Sequence, residues 1–329
     1  MARRKLLIGD IGGTNARFAL ADDRRAGFSA EQTLQCAEFP TALDAIRYYL
    51  RNVGVAEPDA VCLAAAGPVV GGVIRLTNNN WTLSVAGLEE AFGTGHVRLL
   101  NDFAAIGYSV PNLAPRDLMQ VGKPSPRALE GRPFMIGVIG PGTGLGCVGL
   151  RKFGEHLVLI NSEASHSGFA PETRRQIDML AALRDRLERV SSEALVSGIG
   201  IENLYWALAH LHGAAQDRLP ASEIFARADA ESDAVAVESV EMFFEILGQV
   251  AGDLALTFGA EDGIFIAGGI AQRYPERLKS SRFREGFDRK GGHTYLVERI
   301  PTQLITHRQP GLLGAAWCAL QIVNDNGSA

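Results

Sequence analysis

The feature that most constrains this chain is a pair of glycine-rich segments that share one pattern. Segment 8–14 reads IGDIGGT and segment 136–143 reads IGVIGPGT, about 128 residues later. In each, an apolar strand pattern runs into a tight turn that ends in threonine, and a second apolar strand follows. The repeat predicts a duplicated unit whose halves face each other, with chance similarity between two glycine hairpins as the alternative.

The chain is long enough for two domains of about 100–200 residues each. It has 329 residues, of which 47% are hydrophobic, so a disordered chain is excluded. Segment 111–133 holds five prolines and no apolar period, and it predicts an irregular crossing between domains. Strand patterns elsewhere and helical periods over 172–190, 201–212, 235–258 and 311–323 predict an α/β protein. The apolar stripe within 240–254 allows either core packing or a subunit interface.

Charge and apolar runs exclude several classes of partner. The net charge is −5 without a basic stripe, which argues against nucleic acid. The apolar run near the N-terminus is broken at Asp10, so no export signal is predicted. Segment 133–150 carries seven Gly or Pro residues in its interior and predicts strands rather than a membrane helix. We therefore expect a soluble cytoplasmic protein with no membrane partner.

The glycine turns have the composition of phosphate-binding loops. Glycine lets backbone N–H groups approach a phosphate, and threonine adds a hydroxyl donor. Loops 12–15 and 140–144 fit this chemistry, as does the glycine pair at 268–269, although ordinary hairpin turns are the alternative. The chain lacks a GxxxxGK[ST] loop. A GxGxxG pattern at 144–149 lies in a strand-like segment and opens no helix, so a Rossmann site is disfavoured.

Two aspartates end apolar strands where α/β proteins place their active sites. Asp10 is a candidate ligand for Mg²⁺, directly or through water, or a cap for its turn. Asp102, preceded by Asn101, is a candidate general base or the N-cap of a helix.

Three further polar residues lie beyond the second hairpin. Glu163 and His166 stand in INSEASHSGF and can hydrogen-bond hydroxyl groups, or they are simply solvated. Glu193, by itself, is typical of an acid in the first turn of a helix. The four cysteines form no CxxC pair, so we expect buried free thiols and no zinc site.

Seven motifs taken together resemble one known family, bacterial glucokinase of the zinc-free type. In chain order they are GDIGGTNARFAL, LTNNNW, LLNDF, GPGTGLG, SGIGIENLY, FIAGGI and PGLLGA, and they span residues 6 to about 316. This family belongs to the superfamily of hexokinase, actin and the heat-shock ATPases. The resemblance implies a two-domain actin-like ATPase fold, also called ribonuclease H-like, with an interdomain cleft. It implies a small domain of 1–112 plus 308–329 and a large domain of 113–307.

The resemblance also implies an activity, the ATP-dependent phosphorylation of D-glucose to D-glucose 6-phosphate in glycolysis. Domain closure would exclude water, and the protein would be a homodimer without zinc. Asp102 matches the catalytic base. Sugar hydroxyls would be held by Asn101, Asp102, Glu163, His166 and Glu193. ATP, with Mg²⁺, would be bound by Asp10, Gly12, Gly13, Thr14, Asn15, Gly142, Thr143, Gly144, Gly268 and Gly269.

One segment departs from the family pattern. Where the family usually has Gly-Glu-Gly-Gly-His, this chain has Ser162, Ala164 and Ser165 around the same Glu and His. If one of these positions needs a positive φ, a residue with a Cβ there is strained. The departure bears on sugar preference, and it leaves two alternatives: a kinase for another hexose, or a sugar-sensing regulatory protein on the same scaffold.

Overall fold

The described strands form two large sheets with a shared topology and a small third sheet, in which Val73–Arg75 pairs antiparallel with Thr82–Ser84. The computed structural model describes residues 4–76, 79–154, 156–214 and 218–325. The strands over these residues are β1 Leu6–Ile11, β2 Asn15–Ala21, β3 Phe28–Gln35, β4 Ala60–Ala65, β5 Val73–Arg75, β6 Thr82–Ser84, β7 Val97–Asn101, β8 Leu118–Val121, β9 Phe134–Pro141, β10 Leu145–Phe153, β11 His156–Asn161, β12 Gly263–Ile266 and β13 Thr302–Ile305.

The helices alternate with these strands, as expected for an α/β protein. They are α1 Ala42–Asn52, α2 Val85–Phe92, α3 Asp102–Ser109, α4 Arg174–Arg184, α5 Gly198–Leu211, α6 Ala221–Asp229, α7 Ala234–Phe258, α8 Gly269–Arg273, α9 Pro275–Ser280, α10 Phe283–Asp288, α11 Thr294–Val297 and α12 Pro310–Asp325. Within the described ranges, none has the length and apolarity that a membrane crossing requires.

The chain divides into two compact units, one of them discontinuous. The first comprises Met1–Pro115 with His307–Ala329, and the second comprises Arg116–Thr306. In the first unit the sheet order is β3-β2-β1-β4-β7, and in the second it is β11-β10-β9-β12-β13-β8. β1 pairs antiparallel with β2 and parallel with β4, and β9 pairs in the same two ways with β10 and β12. This shared order and direction is what a duplicated unit predicts.

Buried strands and amphipathic helices form the cores. All six residues of β4 are buried, which fits a parallel strand covered on both faces. Thr41 caps α1 by accepting the N–H of Asp44, and the buried side of α1 includes Ala45, Ile46 and Tyr49. The stripe on α7 lies in the core of the second unit, where Phe243 and Leu247 are fully buried. The apolar stripe of α7 therefore packs in the core, which is one of the two predicted possibilities.

One predicted irregular segment contains a strand. The prolines of 111–133 predict no regular structure, yet β8 pairs antiparallel with β13 and Thr302 donates to the Val121 carbonyl. Four residues without a clear apolar period become a strand because a partner strand supplies the hydrogen bonds. The GxGxxG pattern is in the expected place, since its last two glycines lie inside β10 and no helix follows.

Candidate active site

Asp10 lies at the end of β1, close to one cation. Its carboxylate Oδ2 is 3.7 Å from Nη1 of Arg17, its register partner on β2. Burial raises the pKa of Asp10, and Arg17 partly offsets this rise. At the start of α12, a Cβ on Gly311 would lie 3.0 Å from Cγ of Asp10. Glycine at that position therefore leaves room for the carboxylate, a role that its motif in the sequence did not reveal.

Asn101, rather than Asp102, caps helix α3. The Asn101 Oδ1 accepts the N–H groups of Phe103 at 2.9 Å and Ala104 at 3.3 Å, and its Nδ2 donates to the Gly67 carbonyl at 3.1 Å. Asp102 is the first residue of the helix, and its Oδ1 also accepts the Phe103 N–H, at 3.0 Å. The N-cap interpretation of Asp102 is wrong because Asn101 already occupies that position.

The carboxyl group of Asp102 is an unusually strong base for an aspartate. Burial raises the pKa of Asp102 to about 6; the Phe103 N–H opposes the rise, and the negative charge of Asp10 adds to it. Such a group is mostly ionised at neutral pH yet holds a proton better than an ordinary aspartate. That combination suits a general base.

The first glycine loop is closed by its own backbone. Gly12 N–H donates to the Asn15 carbonyl at 2.9 Å, so this N–H is already used within the turn. The Thr14 carbonyl accepts the Cys36 N–H at 2.8 Å. Asn79 Nδ2 donates to the Gly13 carbonyl at 3.3 Å, which ties the LTNNNW segment to the loop. Asn79 is a residue that the sequence alone did not assign to the site; Thr77 and Asn78 of the same motif lie outside the described residues.

The second glycine loop, between β9 and β10, is held by residues far along the chain. Gly142 N–H donates to the Gly144 carbonyl at 2.8 Å, and the Gly142 carbonyl accepts the Gly198 N–H at 2.9 Å. Thr143 lies between these two glycines. The Leu145 N–H donates to Oε2 of Glu193 at 2.8 Å. Glu193 therefore contacts the loop proposed to bind phosphate, which its local sequence did not indicate.

Glu163, His166 and Glu193 are brought together in the second unit. His166 Nε2 lies 3.7 Å from Oε2 of Glu163, and its Nδ1 lies 3.7 Å from Oε1 of Glu193. The side chains of Glu163 and His166 are 79% and 57% exposed, so both can reach a ligand. The three residues form a surface of hydrogen-bonding groups suited to hydroxyls.

The loop that lacks the family glycines is not strained. Ala164–His166 form a turn of 3-10 helix, and Ser162 Oγ accepts the Ala164 N–H at 3.1 Å. Among the described residues, positive φ angles outside glycine occur at Ala30 and Glu231, not in this loop. The conditional expectation of strain does not arise at Ser162, Ala164 or Ser165, because none of them needs the left-handed conformation.

Gly268 and Gly269, which form the third glycine turn, lie in two different environments. Gly268 has a φ of +86°, and a Cβ there would lie 2.4 Å from the Pro141 carbonyl oxygen. A Cβ on Gly140 would similarly lie 2.7 Å from the Ala267 carbonyl carbon. Gly140 and Gly268 thus let two backbone segments meet. A Cβ on Gly269 would enter open space, so that position leaves a surface for a ligand.

The first unit offers carboxylates that fit magnesium. Mg²⁺ is commonly bound through one or two carboxylates together with substrate phosphates and waters. Asp10 at its strand end, close enough to Asp102 for its charge to raise the pKa of Asp102, matches that donor set. Within the described ranges, His, Cys, Asp and Glu form no group of three or more that could hold a metal by itself.

Comparison with known proteins identifies the class and then the family. The fold, with its shared sheet order, is the actin-like ATPase fold of sugar kinases. A glucokinase family model matches residues 7–322. The glucokinase of Caulobacter vibrioides is 44% identical over 315 residues, covering 94% of this chain and 93% of its own. The chain belongs to the glucokinase family.

Solved structures agree in fold. The crystal structure of glucokinase from an Antarctic psychrotroph has a TM-score of 0.88 at 36% identity, over 96% of this chain and 98% of its own. A glucokinase from Streptomyces griseus, in complex with glucose and AMPPNP, has a TM-score of 0.62 at 21% identity. It covers 97% of this chain and 100% of its own.

Proposed function

We propose that this protein transfers the γ-phosphoryl group of ATP to the 6-hydroxyl of D-glucose, giving glucose 6-phosphate and ADP. Membership of the glucokinase family supports the reaction. The observation that carries the mechanism is the Asp102 carboxylate, which lies where β7 meets α3 and has a pKa raised to about 6.

Asp102 accepts the proton of the attacking hydroxyl. As the O6–P bond forms, the bond between the γ-phosphorus and the ADP oxygen breaks, and the hydroxyl proton passes to a carboxylate oxygen of Asp102. A positioned base of this kind contributes about 10²–10⁴-fold to the rate. The cap formed by Asn101 fixes the start of α3 and with it the backbone of Asp102, so Asn101 orients the base, and in this proposal its Nδ2 group also donates to a sugar hydroxyl.

The sugar is held by the second unit in this proposal. Glu163 and Glu193 accept hydrogen bonds from hydroxyl groups, and His166 between them donates or accepts according to its tautomer. Several such bonds fix the ring, and orientation of this kind converts binding energy into rate.

The nucleotide is bound by backbone groups in this proposal. The N–H groups of loops 12–15 and 142–144 that are not used within the turns face the phosphates, and the free surface at Gly269 faces the adenosine. The AMPPNP complex of the Streptomyces griseus relative supports ATP as the donor. Asp10 would hold Mg²⁺, which neutralises phosphate charge when bound.

Replacing the base tests the mechanism. Asp102→Asn keeps the shape of the side chain but cannot accept the proton, so we expect turnover to fall by about 10²–10⁴-fold with glucose affinity retained. Turnover is measured by coupled ADP release, and affinity by calorimetric titration with glucose. Asp44→Asn, another first-turn aspartate in the same unit, is the control and should keep normal turnover. Near-normal turnover of Asp102→Asn would overturn the base role.

The changed loop at 162–165 motivates the second candidate, a sugar sensor or a kinase for another hexose. ADP release is measured with glucose, mannose, fructose and glucosamine. Turnover that is highest with glucose supports the main proposal. Binding of a sugar without turnover on any of the four would support a sensor, and a clear preference for another hexose would reassign the substrate.

Two further proposals concern the state of the protein. We propose a homodimer, supported by the exposed apolar residues Val158 and Ile160 on β11, which lies at an edge of its sheet. Sedimentation equilibrium tests it: a monomer at micromolar concentration contradicts it. A cytoplasmic location follows from the proposed use of ATP, and cell fractionation tests that.

A further inference from the structure

The sugar-contacting residues and the second glycine loop share one connecting segment, residues 191–198. At its start this segment is bound to the loop that carries Glu163 and His166. Ser192 N–H donates to the Ser167 carbonyl at 3.0 Å, and Glu193 N–H donates to the Ser165 carbonyl at 2.9 Å. Two backbone hydrogen bonds therefore hold the two stretches to each other.

The same segment is bound to the glycine loop 142–145. Glu193 accepts the Leu145 N–H through Oε2 at 2.8 Å, and Gly198 N–H donates to the Gly142 carbonyl at 2.9 Å. A carboxylate acceptor makes the first of these bonds stronger than a neutral one. Each loop thus has two hydrogen bonds to the connecting segment.

The connecting segment is firmly packed between these contacts. Leu195 and Val196 are fully buried, and Ser197 caps α5 by accepting the Gly200 N–H at 2.9 Å. Buried side chains and a capped helix leave little room for the two ends to move independently. The connecting segment is therefore a packed link between the two loops.

Gly144 shows how closely Glu193 and the glycine loop fit. A Cβ on Gly144 would lie 2.5 Å from Oε2 and 3.3 Å from Cδ of Glu193. The φ of Gly144 is not positive, so glycine is needed here for the carboxylate rather than for the backbone conformation. On Gly142 in the same loop, a Cβ would meet its nearest neighbour, the Gly144 carbonyl oxygen, only at 4.0 Å.

We infer that Glu193 is a positioning residue that couples glucose binding to nucleotide binding. The inference rests on the proposed function. One oxygen of Glu193 fixes the phosphate loop, and the other lies beside His166 in the sugar surface. A ligand at either loop orders the same carboxylate and removes part of the cost of binding the other. Linkage requires this effect to be equal in both directions.

The matched pair Gly144→Ala and Gly142→Ala provides the first test. In nucleotide-free protein, Gly144→Ala displaces the Glu193 carboxylate, so we expect the glucose Kd to rise roughly tenfold although the substitution is in the phosphate loop. Gly142→Ala adds the same methyl group no closer than 4.0 Å to its nearest neighbour, and it should leave the glucose Kd of the nucleotide-free protein within about twofold of wild type. Calorimetric titration with D-glucose gives both values. A wild-type Kd for folded Gly144→Ala overturns the inference.

The second test measures the coupling itself, as the ratio of glucose Kd without and with saturating AMPPNP. We expect wild type to show a ratio of about 5 or more. Glu193→Ala should bring it close to 1, and Glu193→Gln, which keeps an acceptor for Leu145, should restore part of it. Glu163→Ala weakens glucose binding but has no bond to the phosphate loop, so its ratio should equal that of wild type.

The outcomes separate the inference from the proposed function. A wild-type ratio in Glu193→Ala overturns the coupling role even when the enzyme phosphorylates glucose normally. Absence of glucose phosphorylation by the wild type overturns the proposed function instead. If Gly144→Ala fails to fold, as judged by circular dichroism and thermal melting, the Glu193→Ala ratio decides.

Discussion

At the scale of single residues, Asn101 and Asp102 are neighbours with different partners. The amide of Asn101 accepts two helix N–H groups and donates to the Gly67 carbonyl, whereas the carboxylate of Asp102, the first residue of α3, accepts the Phe103 N–H. From the sequence, either residue is a good N-cap. The path of the backbone decides which of the two residues is the N-cap, so this assignment needed the structure.

The raised pKa of Asp102 predicts an acid limb in the pH–rate profile. The carboxyl group must be ionised to accept a proton, and it is mostly protonated below its pKa of about 6. We expect kcat/KM for glucose to be flat above this value and to fall about tenfold per pH unit below it. Rates measured between about pH 4.5 and pH 8 give the limb. A limb near pH 4 would contradict the assignment.

The same pKa predicts a stability gain on removing the charge. A carboxyl whose pKa is higher in the folded state than in the unfolded state stabilises the fold at low pH, and this contribution is lost as pH rises through about 4 to 6. At neutral pH the ionised Asp102 therefore costs stability. Asp102→Asn should raise the free energy of unfolding by about 2 kcal/mol near pH 7.5 and by little near pH 4. Urea denaturation at both pH values measures this, and equal effects would contradict it.

At the scale of secondary-structure elements, predictability followed burial. The long α7 was predicted over 235–258, close to its observed bounds, because its apolar periodicity comes from the core it faces. β3 reads FSAEQTLQ and has no buried residue, and β8 is four residues long. Such edge strands owe their conformation to pairing with β2 and β13, which local sequence does not encode.

The sequence predicted where the glycine turns lie, but it gave only part of the reason why glycine is required at each position. The sequence indicated bare backbone for a phosphate at all three turns. In the structure, Gly140 and Gly268 are required by contact with other backbone segments, and Gly144 by the Glu193 carboxylate. A glycine that admits a ligand and one that admits a neighbouring chain segment look the same in a sequence.

Gly268 and Gly269 form a matched pair for separating these purposes. Gly268→Ala would put a Cβ 2.4 Å from the Pro141 carbonyl oxygen at a φ of +86°. We expect it to lower the free energy of unfolding by about 2 kcal/mol or more. Gly269→Ala, in open space, should change stability by no more than about 0.5 kcal/mol and weaken nucleotide binding instead. Thermal melts and AMPPNP titrations measure both; equal stability of the two variants would contradict the packing role of Gly268.

At the scale of the whole molecule, the duplication was visible in the sequence, but the meeting of Glu163, His166 and Glu193 was not. Glu163 and Glu193 are 30 positions apart, and their meeting at His166 depends on how 191–198 folds back. Their roles came from the resemblance to glucokinases, not from any local pattern. The predicted boundaries after residues 112 and 307 stay a prediction, as do the roles of the site residues.

Burial of the thiols gives a prediction for the whole chain. Cys36, Cys62, Cys147 and Cys318 are thiols outside any disulfide, and each is at most 5% exposed. Buried thiols react slowly because the reagent cannot reach them and because burial disfavours the reactive thiolate form. We expect a colourimetric thiol reagent to label fewer than about one thiol per native chain within minutes and four after denaturation. Rapid labelling of the native protein would contradict this burial.

The last helix has a consequence for how the protein is made. α12 packs against α3, and a Cβ on Gly314 would lie 1.7 Å from the Ala105 carbonyl oxygen, so the two helices meet at bare backbone. About 190 residues of the second unit separate these partners along the chain. At about 5–20 residues per second, a ribosome takes roughly 10–40 s to cover that distance. During that time the face of α3 that α12 covers stays exposed. The described strands of the second unit, which end with β13, are all synthesised before α12.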